Sequence, residues 1–420
     1  MLNDLLTLWE STGIAKLFGG DLLSFGKTML MFVIVAVLVY LAIVKKYEPL
    51  LLLPIAVGMF LTNLPGANLF HMDLFIHEND PSMPILIQQI VEEGGFIDFL
   101  YLGVKLGIYP AIIFIGVGAM TDFSPLIANP KSIFLGGAAQ FGVFAAFLAA
   151  LLLGFDEMAA AAIAIIGGAD GPTAIMVAKE LAPHLLGAIA IAAYSYMALL
   201  PMIQPPLMKL MTTKKERTIR MVQLAPVSKL EKIVFPLLVI LIVSLLLPDA
   251  ATLLGCLMFG NLLNVCGVTE RLSKTVQNEL MNITTILLGI SVGATATADA
   301  FLKFETVKII ILGLCAFMLA TLGGLIGGKI LCKLSGGKIN PLIGSAGVSA
   351  VPMAARVSQK GGQEEDPGNF LLMHAMGPNV AGVIGSAICA GVFLALFGYT
   401  GTLTSNLSAG CFIPQISPYE

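Results

Sequence analysis

The sequence predicts an all-α polytopic membrane protein, built as an inverted-topology repeat around two broken-helix, re-entrant segments. Three observations carry this expectation. Of 420 residues, 57% are hydrophobic and only 12% charged, about half the ~25% charge of a soluble globular protein. Apolar runs recur along the whole length and the mean hydropathy is +0.92, so the excess is not one anchor on a soluble domain. Two of the runs are interrupted at their centres by Gly, Pro and polar residues.

This composition excludes an ordinary soluble enzyme. A net charge of −3 without a basic stripe excludes nucleic acid as a partner, and the lipid bilayer is the expected surroundings. Cys256, Cys266, Cys315, Cys332, Cys389 and Cys411 show no metal-ligand spacing and read as packing residues.

The first run, Met29 to Val44, ends at Lys45 and Lys46 rather than at a small-residue cleavage site, so it reads as a retained helix. Leu50 to Thr62, Ile108 to Met120, Ser132 to Leu153 and Leu185 to Ile203 follow. Ile233 to Leu247, Ala251 to Cys266, Met281 to Ala294, Val307 to Gly327 and Phe370 to Phe397 complete the set. Several fall short of the ~20 residues a perpendicular span needs, which points to tilted, broken or protein-buried helices. The broken runs are Met158 to Val177 and Pro341 to Ala355.

Charge orients these elements, because basic loops stay on the cytoplasmic side. Lys209, Lys214, Lys215, Arg217, Arg220, Lys229 and Lys232 mark the loop 209–232 as cytoplasmic. Asn63 to Tyr101 carries Asp73, Glu78, Asp80, Glu92, Glu93 and Asp98 with no Lys or Arg, and is expected outside. Asp156 and Glu157 then fall outside, with a single crossing left before Lys209, so Met158 to Val177 enters and leaves on the outer side. Lys329, Lys333, Lys338 and Arg356 place both ends of Pro341 to Ala355 inside.

The two broken runs belong to a repeat. Ile115 to Met120 resembles Ile290 to Thr295 at an offset of 175 residues, which also sets Gly168 to Gly171 against Ile343 to Ala346. The expected divisions are N-terminal helices with an acidic external loop (1–105), a first repeat with the Asp170 segment (106–208) and a basic loop with connecting helices (209–280). A second repeat with the Asn340–Arg356 and Gly377–Asn379 segments (281–400) and a tail (401–420) follow. Interrupted helices meeting near the midplane of an inverted repeat are the architecture of secondary transporters, with the ion site at the repeat interface.

Within Ile163 to Met176, IAIIGGADGPTAIM, Asp170 is the only carboxylate. A charge at bilayer depth costs about 2.5 kcal/mol or more, and a bound cation is the simplest compensation. Gly167, Gly168, Gly171 and Pro172 unwind the chain there and free carbonyls beside Asp170 and Thr173. Oxygen-only ligation suits Na+, or H+ on the carboxylate. The bland alternative is a water-exposed Asp-Gly-Pro turn, which the apolar flanks disfavour.

The second broken run supplies Asn340, Ser345, Ser349 and then Arg356. Position alone leaves Arg356 open between a membrane anchor and a holder of a carboxylate. Gly377 and Pro378 make a third break, followed by Asn379. Tyr194 and Tyr196 are open between proton relay and packing, and His374 reads as structural. Gly323 to Lys329 has phosphate-loop spacing but lacks the final Ser/Thr, so it reads as a helix-packing stripe. The surroundings of Lys209 are wrong for a biotinylation site, so any biotin comes from another chain.

GGADGPTAI (Gly167 to Ile175), Asn340 to Arg356 and Gly377 to Ala387, in this order, closely resemble the β subunit of the sodium-pumping biotin-dependent decarboxylases, which include the oxaloacetate, methylmalonyl-CoA and glutaconyl-CoA enzymes. The resemblance covers most of the chain from about Lys45 onward. It implies decarboxylation of carboxybiotin, supplied by a partner subunit, coupled to Na+ export and consumption of an external proton. It maps functional positions onto Asp170, Tyr196, Asn340, Gly344, Ser349, Arg356 and Asn379, with Na+ held by Asp170, Asn340, Gly344, Ser349 and Asn379 and carboxybiotin held by Arg356. It implies a carboxyltransferase α subunit, a biotin carrier and a small membrane-anchored subunit as partners, a trimer of this chain, and the cytoplasmic membrane of a prokaryote. The residues alone leave a second class open, a Na+/H+ or Na+/solute transporter without decarboxylase chemistry. A purely structural anchor would have no use for a buried carboxylate.

Overall fold

The computed structural model describes residues 8–19, 21–75 and 87–398, and all regular structure among them is helical. The expected tail 401–420 with Cys411, and Glu78 and Asp80 of the acidic loop, lie outside the described residues.

Every predicted apolar run coincides with helix. In the first half these are α1 (Leu22–Ile43), α2 (Pro49–Thr62), α3 (Phe96–Lys105), α4 (Ile108–Met120), α5 (Ser132–Ala139), α6 (Phe141–Leu152), α7 (Glu157–Ala164), α8 (Gly171–Leu181) and α9 (Leu186–Met211). The second half contains α10 (Lys229–Leu246), α11 (Ala251–Val265), α12 (Met281–Ala294), α13 (Phe304–Leu334), α14 (Met353–Glu365) and α15 (Leu372–Phe393). Local chemistry sets the ends. Asp21 caps α1 by accepting from Ser24 N, and Ser228 and Glu231 form a reciprocal capping box on α10. Gly107, at φ +75°, turns α3 into α4 through 62°.

Among the described residues, four helices are each long and apolar enough to cross a membrane: Leu22–Ile43, Ser132–Leu152, Phe304–Leu334 and Leu372–Gly398. The bent pairs α3 with α4 and the two halves of α9 raise this to six. The shorter apolar helices pack among them.

The repeat is visible in two quasi-equivalent helix crossings. Between α2 and α12, a Cβ added at Gly58 would lie 2.1 Å from the Ile290 carbonyl oxygen, and one at Gly293 would lie 2.0 Å from that of Ile55. Between α4 and α11, the matching approaches are Gly118 to Leu257 at 1.8 Å and Gly260 to Ile115 at 1.9 Å. Gly118 and Gly293, and Ile115 and Ile290, are partners at the 175-residue offset. The earlier helix of each repeat thus packs on the later helix of the other, as a pseudo-twofold axis demands, and close backbone approach through small residues is how membrane helices associate. Helices α2 and α11 take part although they precede the expected repeat starts at 106 and 281.

The broken runs form two hairpins that enter from opposite sides. The first descends through α7 and a 3-10 turn, Ile165–Gly168, breaks at Ala169 and returns as α8. Near its return end Lys179 Nζ donates to the Lys105 carbonyl at 3.2 Å, beside the N-terminal end of α4. The second begins at Asn340, whose amide donates to the carbonyls of Arg217 and Ile219 at 2.9 Å each in the basic loop. It rises as the 3-10 segment Pro341–Gly347 and returns as α14, ending where Arg217 pairs with Glu365 at 2.7 Å. The tips meet where Ser349 N donates to the Gly168 carbonyl at 3.0 Å. The second tip, residues 348–352, lies beyond the 343–346 stretch that the sequence offset sets against Asp170, because its rising arm is a 3-10 segment without the α-helical part of the first.

Helices α5, α6, α13 and α15 hold this junction. The Gly323 to Lys329 stripe is a packing surface: a Cβ at Gly324 would lie 2.1 Å from the Gly344 carbonyl oxygen and one at Gly328 would lie 2.5 Å from that of Pro341. Asp98, in the stretch expected outside, is fully buried within the protein, accepting from Gly95 N, His71 N and His71 Nδ1 at 2.8–2.9 Å.

Candidate functional site

Asp170 sits at the point where both hairpins end. Its position is a consequence of the break. Ala169 adopts φ +56°, a left-handed conformation that costs a non-glycine residue about 1 kcal/mol, and Gly171-Pro172 restarts the helix with Asp170 as its N-cap. Strained backbone held in place by its surroundings is a recurrent property of functional sites.

The carboxylate is 8% exposed and has no cationic partner among the described residues. Thr173 Oγ1 donates to Oδ2 at 2.7 Å, Thr173 N approaches Oδ1 at 3.5 Å, and Ser386 Oγ donates to Oδ2 at 3.1 Å. Ser386, on α15, in turn accepts from Ser349 Oγ at 3.1 Å. One hydroxyl chain therefore joins the first hairpin, α15 and the second hairpin. Neutral donors and the α8 N-terminus soften the buried charge without neutralising it.

Asn379, also on α15 and fully buried, clamps the second tip, donating through Nδ2 to the carbonyls of Ala346 at 3.0 Å and Val348 at 2.6 Å. Among the described residues its Oδ1 has no hydrogen-bond partner. Tyr194 stands against the other side of Asp170: a Cβ at Gly171 would lie 2.1 Å from its ring, and its buried hydroxyl has no partner among the described residues.

The predicted residues thus divide. Asp170, Ser349 and Asn379 come together at the tips. Asn340 lies at the base of the second hairpin with its side chain fully engaged, Oδ1 accepting from Leu342 N at 3.0 Å. Gly344 is a contact point, where a Cβ would lie 2.0 Å from the Gly324 carbonyl oxygen. Tyr196 turns to α13, donating to the Ile310 carbonyl. Arg356 is exposed on the first turn of α14, and among the described residues it makes no ion pair. At the hairpin base, hydrogen bonding from Arg217 holds the Glu365 carboxyl below its usual range.

Sequence reasoning missed Ser386 and Gln140. Gln140 interrupts an apolar 21-residue span, with Nε2 donating to the Gly382 carbonyl at 3.2 Å and the Cys389 thiol 3.7 Å from its Oε1. A polar residue inside an apolar run is the same signal that identified Asp170.

Carboxylate, hydroxyl, carbonyl and amide oxygens make a hard-oxygen donor set suited to Na+ and unsuited to soft metals. Fold and site together define a multi-pass, all-helical membrane protein with a buried carboxylate at the junction of two broken hairpins. Residues 27–397 match the family described as the Na+-transporting oxaloacetate decarboxylase beta subunit, and the chain belongs to that family. It is 56% identical to the methylmalonyl-CoA decarboxylase subunit beta of Propionigenium modestum, over 95% of this chain and 100% of that one. It is 56% identical to the glutaconyl-CoA decarboxylase subunit beta of Acidaminococcus fermentans, over 88% of this chain and 92% of that one. Identity to the oxaloacetate decarboxylase beta chain of Klebsiella pneumoniae is 53%, over 94% and 99% of the two chains.

Proposed function

We propose that this chain decarboxylates carboxybiotin and couples that reaction to Na+ export, with uptake of a proton from outside. The observation that carries the proposal is the buried Asp170, which among the described residues is hydrogen-bonded by neutral groups alone, where the two hairpin tips meet. An ion bound there neutralises the carboxylate, and either hairpin base provides a route to one side.

Na+ from the cytoplasm is the cargo, held by Asp170 with Ser349, Asn379 and the Thr173 and Ser386 hydroxyls. Arg356, exposed and without an ion pair among the described residues, is the side chain on this hairpin suited to hold the carboxylate of carboxybiotin at the cytoplasmic mouth. A proton arriving at Asp170 displaces Na+ outward and is then delivered to the biotin ureido nitrogen, whose bond to the carboxyl carbon breaks as CO2 leaves. Asn340 and Gly344 serve this reading by fixing the hairpin that carries Ser349, and Tyr196 by tying α9 to α13 along the path from outside.

The biotin is carried by a partner, together with a carboxyltransferase α subunit and a small membrane-anchored subunit, in a complex built on a trimer of this chain in the cytoplasmic membrane of a prokaryote. Family membership supports the carboxyltransferase and the carrier. Na+ transport without decarboxylation would leave Arg356 without a role. Asp170→Asn in the reconstituted complex is expected to abolish decarboxylation and Na+ uptake into vesicles together. Normal Na+-dependent decarboxylation in that variant would overturn the proposal.

A further inference from the structure

Helix α14 divides its charges unevenly. Its acidic end is covered: Glu364 pairs with Lys209 at 3.0 Å, Glu365 with Arg217 at 2.7 Å and Lys214 at 3.6 Å, and the following Asp366 with Arg220 at 2.7 Å. Its two cations are not covered. Arg356 and Lys360 are exposed, and among the described residues neither side chain makes an ion pair or a hydrogen bond. At i and i+4 they stand one above the other on the same face of the helix, where like charges repel. That face is complementary to anions rather than to anything this chain supplies.

A fixed aromatic side chain lies beside them. Gln359, the residue before Lys360, accepts from the backbone N–H groups of Leu371 and Leu372, the latter at 2.7 Å, and donates to the Asn369 carbonyl at 3.1 Å. These bonds pin 369–372 against the second turn of α14, with Leu371 fully buried beneath and Phe370 left 73% exposed. The chain leading into Phe370 is polar and tied to the basic loop, through Asp366 to Arg220 and through Asn369 Nδ2 to the Arg217 carbonyl at 3.0 Å, which sets this ring in water rather than in lipid. An exposed aromatic ring on pinned backbone, next to an unpaired lysine, is the composition of a protein-docking surface, where the ring anchors and the charge steers.

We propose that Lys360 and Phe370 are the docking surface for the biotin carrier, a domain that presents a carboxylate and a small apolar patch beside its biotinylated lysine. Their order along α14 fits delivery. Lys360 lies one turn, about 6 Å of helix rise, from Arg356 toward the hairpin base, so a carrier seated on Lys360 and Phe370 extends its biotin arm inward along the exposed face to Arg356. The charges fit as well: Arg356 takes the carboxylate of carboxybiotin, and Lys360 is left for an acidic side chain of the carrier itself. The proposal rests on the carboxybiotin reading above, and its test separates the two.

CO2 release by the purified chain is measured in saturating Na+ on two substrates, free carboxybiotin and the separately prepared, carboxylated carrier subunit. Lys360→Met is expected to raise the KM for the carrier about fivefold and Phe370→Ser about tenfold, with the KM for free carboxybiotin unmoved in both. Arg356→Ala, by contrast, raises the KM for both substrates. A carrier KM unmoved in either Lys360→Met or Phe370→Ser overturns the docking surface while the carboxybiotin reading stands, whether that face meets lipid or only water. An equal rise on the two substrates also overturns it, because it would put these side chains in the biotin site itself. If wild type releases no CO2 from either substrate, both readings fall. Should Phe370→Ser not fold, Phe370→Ala takes its place and is read in the same way.

Discussion

Replacing Ser386 by Ala removes a side chain that bonds to both hairpin tips. The hydroxyl lies 3.1 Å from Asp170 Oδ2 and 3.1 Å from Ser349 Oγ, with the Val383 carbonyl, also at 3.1 Å, as its alternative acceptor. A hydrogen bond to a charged group contributes about 1.5–3 kcal/mol, and each 1.4 kcal/mol is about a factor of ten in affinity. Ser386→Ala is therefore expected to raise the Na+ concentration for half-maximal decarboxylation by about ten- to a hundredfold. The fold should survive, because an alanine removes one oxygen and adds no bulk beside Gly168. The assay is the Na+ dependence of decarboxylation by the complex in proteoliposomes, with Ser386→Cys expected to fall between the two. A half-maximal Na+ concentration within twofold of wild type would refute the idea that the bridge stabilises the ion-binding state of Asp170.

Gly293→Val places a side chain where a Cβ already stands 2.0 Å from the Ile55 carbonyl oxygen; overpacking of this kind costs about 3 kcal/mol, and thermal unfolding in detergent should show it. Tyr194→Phe should leave stability unchanged, since that hydroxyl has no partner, whereas Tyr196→Phe gives up the bond to Ile310 and should lose about 1 kcal/mol. The reverse order in the same thermal assay would contradict this placement of the two rings. Arg356→Ala should raise the KM for free carboxybiotin by about tenfold or more while leaving Na+ binding intact, and Arg356→Lys should restore only part of it, because a lysine lacks the planar fork.

Much of the fold was legible in the sequence because a bilayer makes few demands and makes them strictly. Apolar length identified the helices, and the acidic and basic loops predicted hairpins from opposite faces; their bases do contact different segments, Lys179 at Lys105 and Glu365 at Arg217. Asp170 was legible because a lone carboxylate in an apolar run needs a reason to be there. Rotation about helix axes was not legible. Tyr194 and Tyr196 are two residues apart and face different neighbours, Gly171 and Gly313, and packing alone decides which ring lies against the Asp170 turn. Ser386 was hidden because a single hydroxyl in a transmembrane helix bonds to its own backbone as readily as to a partner. Asn340 carried two signals at once, a potential oxygen ligand and a residue type that caps a helical turn ahead of a proline; the structure engages it in the second way, through Leu342 N. The repeat offset held at the helix crossings, where glycines fix the register, and slipped at the hairpin tips, where the arms differ in helix type.

The central claim is that this chain itself performs a Na+-dependent decarboxylation. The most direct test supplies a separately prepared carboxybiotin carrier to the purified chain and follows CO2 release with Na+ present or replaced by choline. The account predicts release that requires Na+ and disappears in Asp170→Asn. Folded, Na+-binding protein that releases no CO2 under either condition would contradict it.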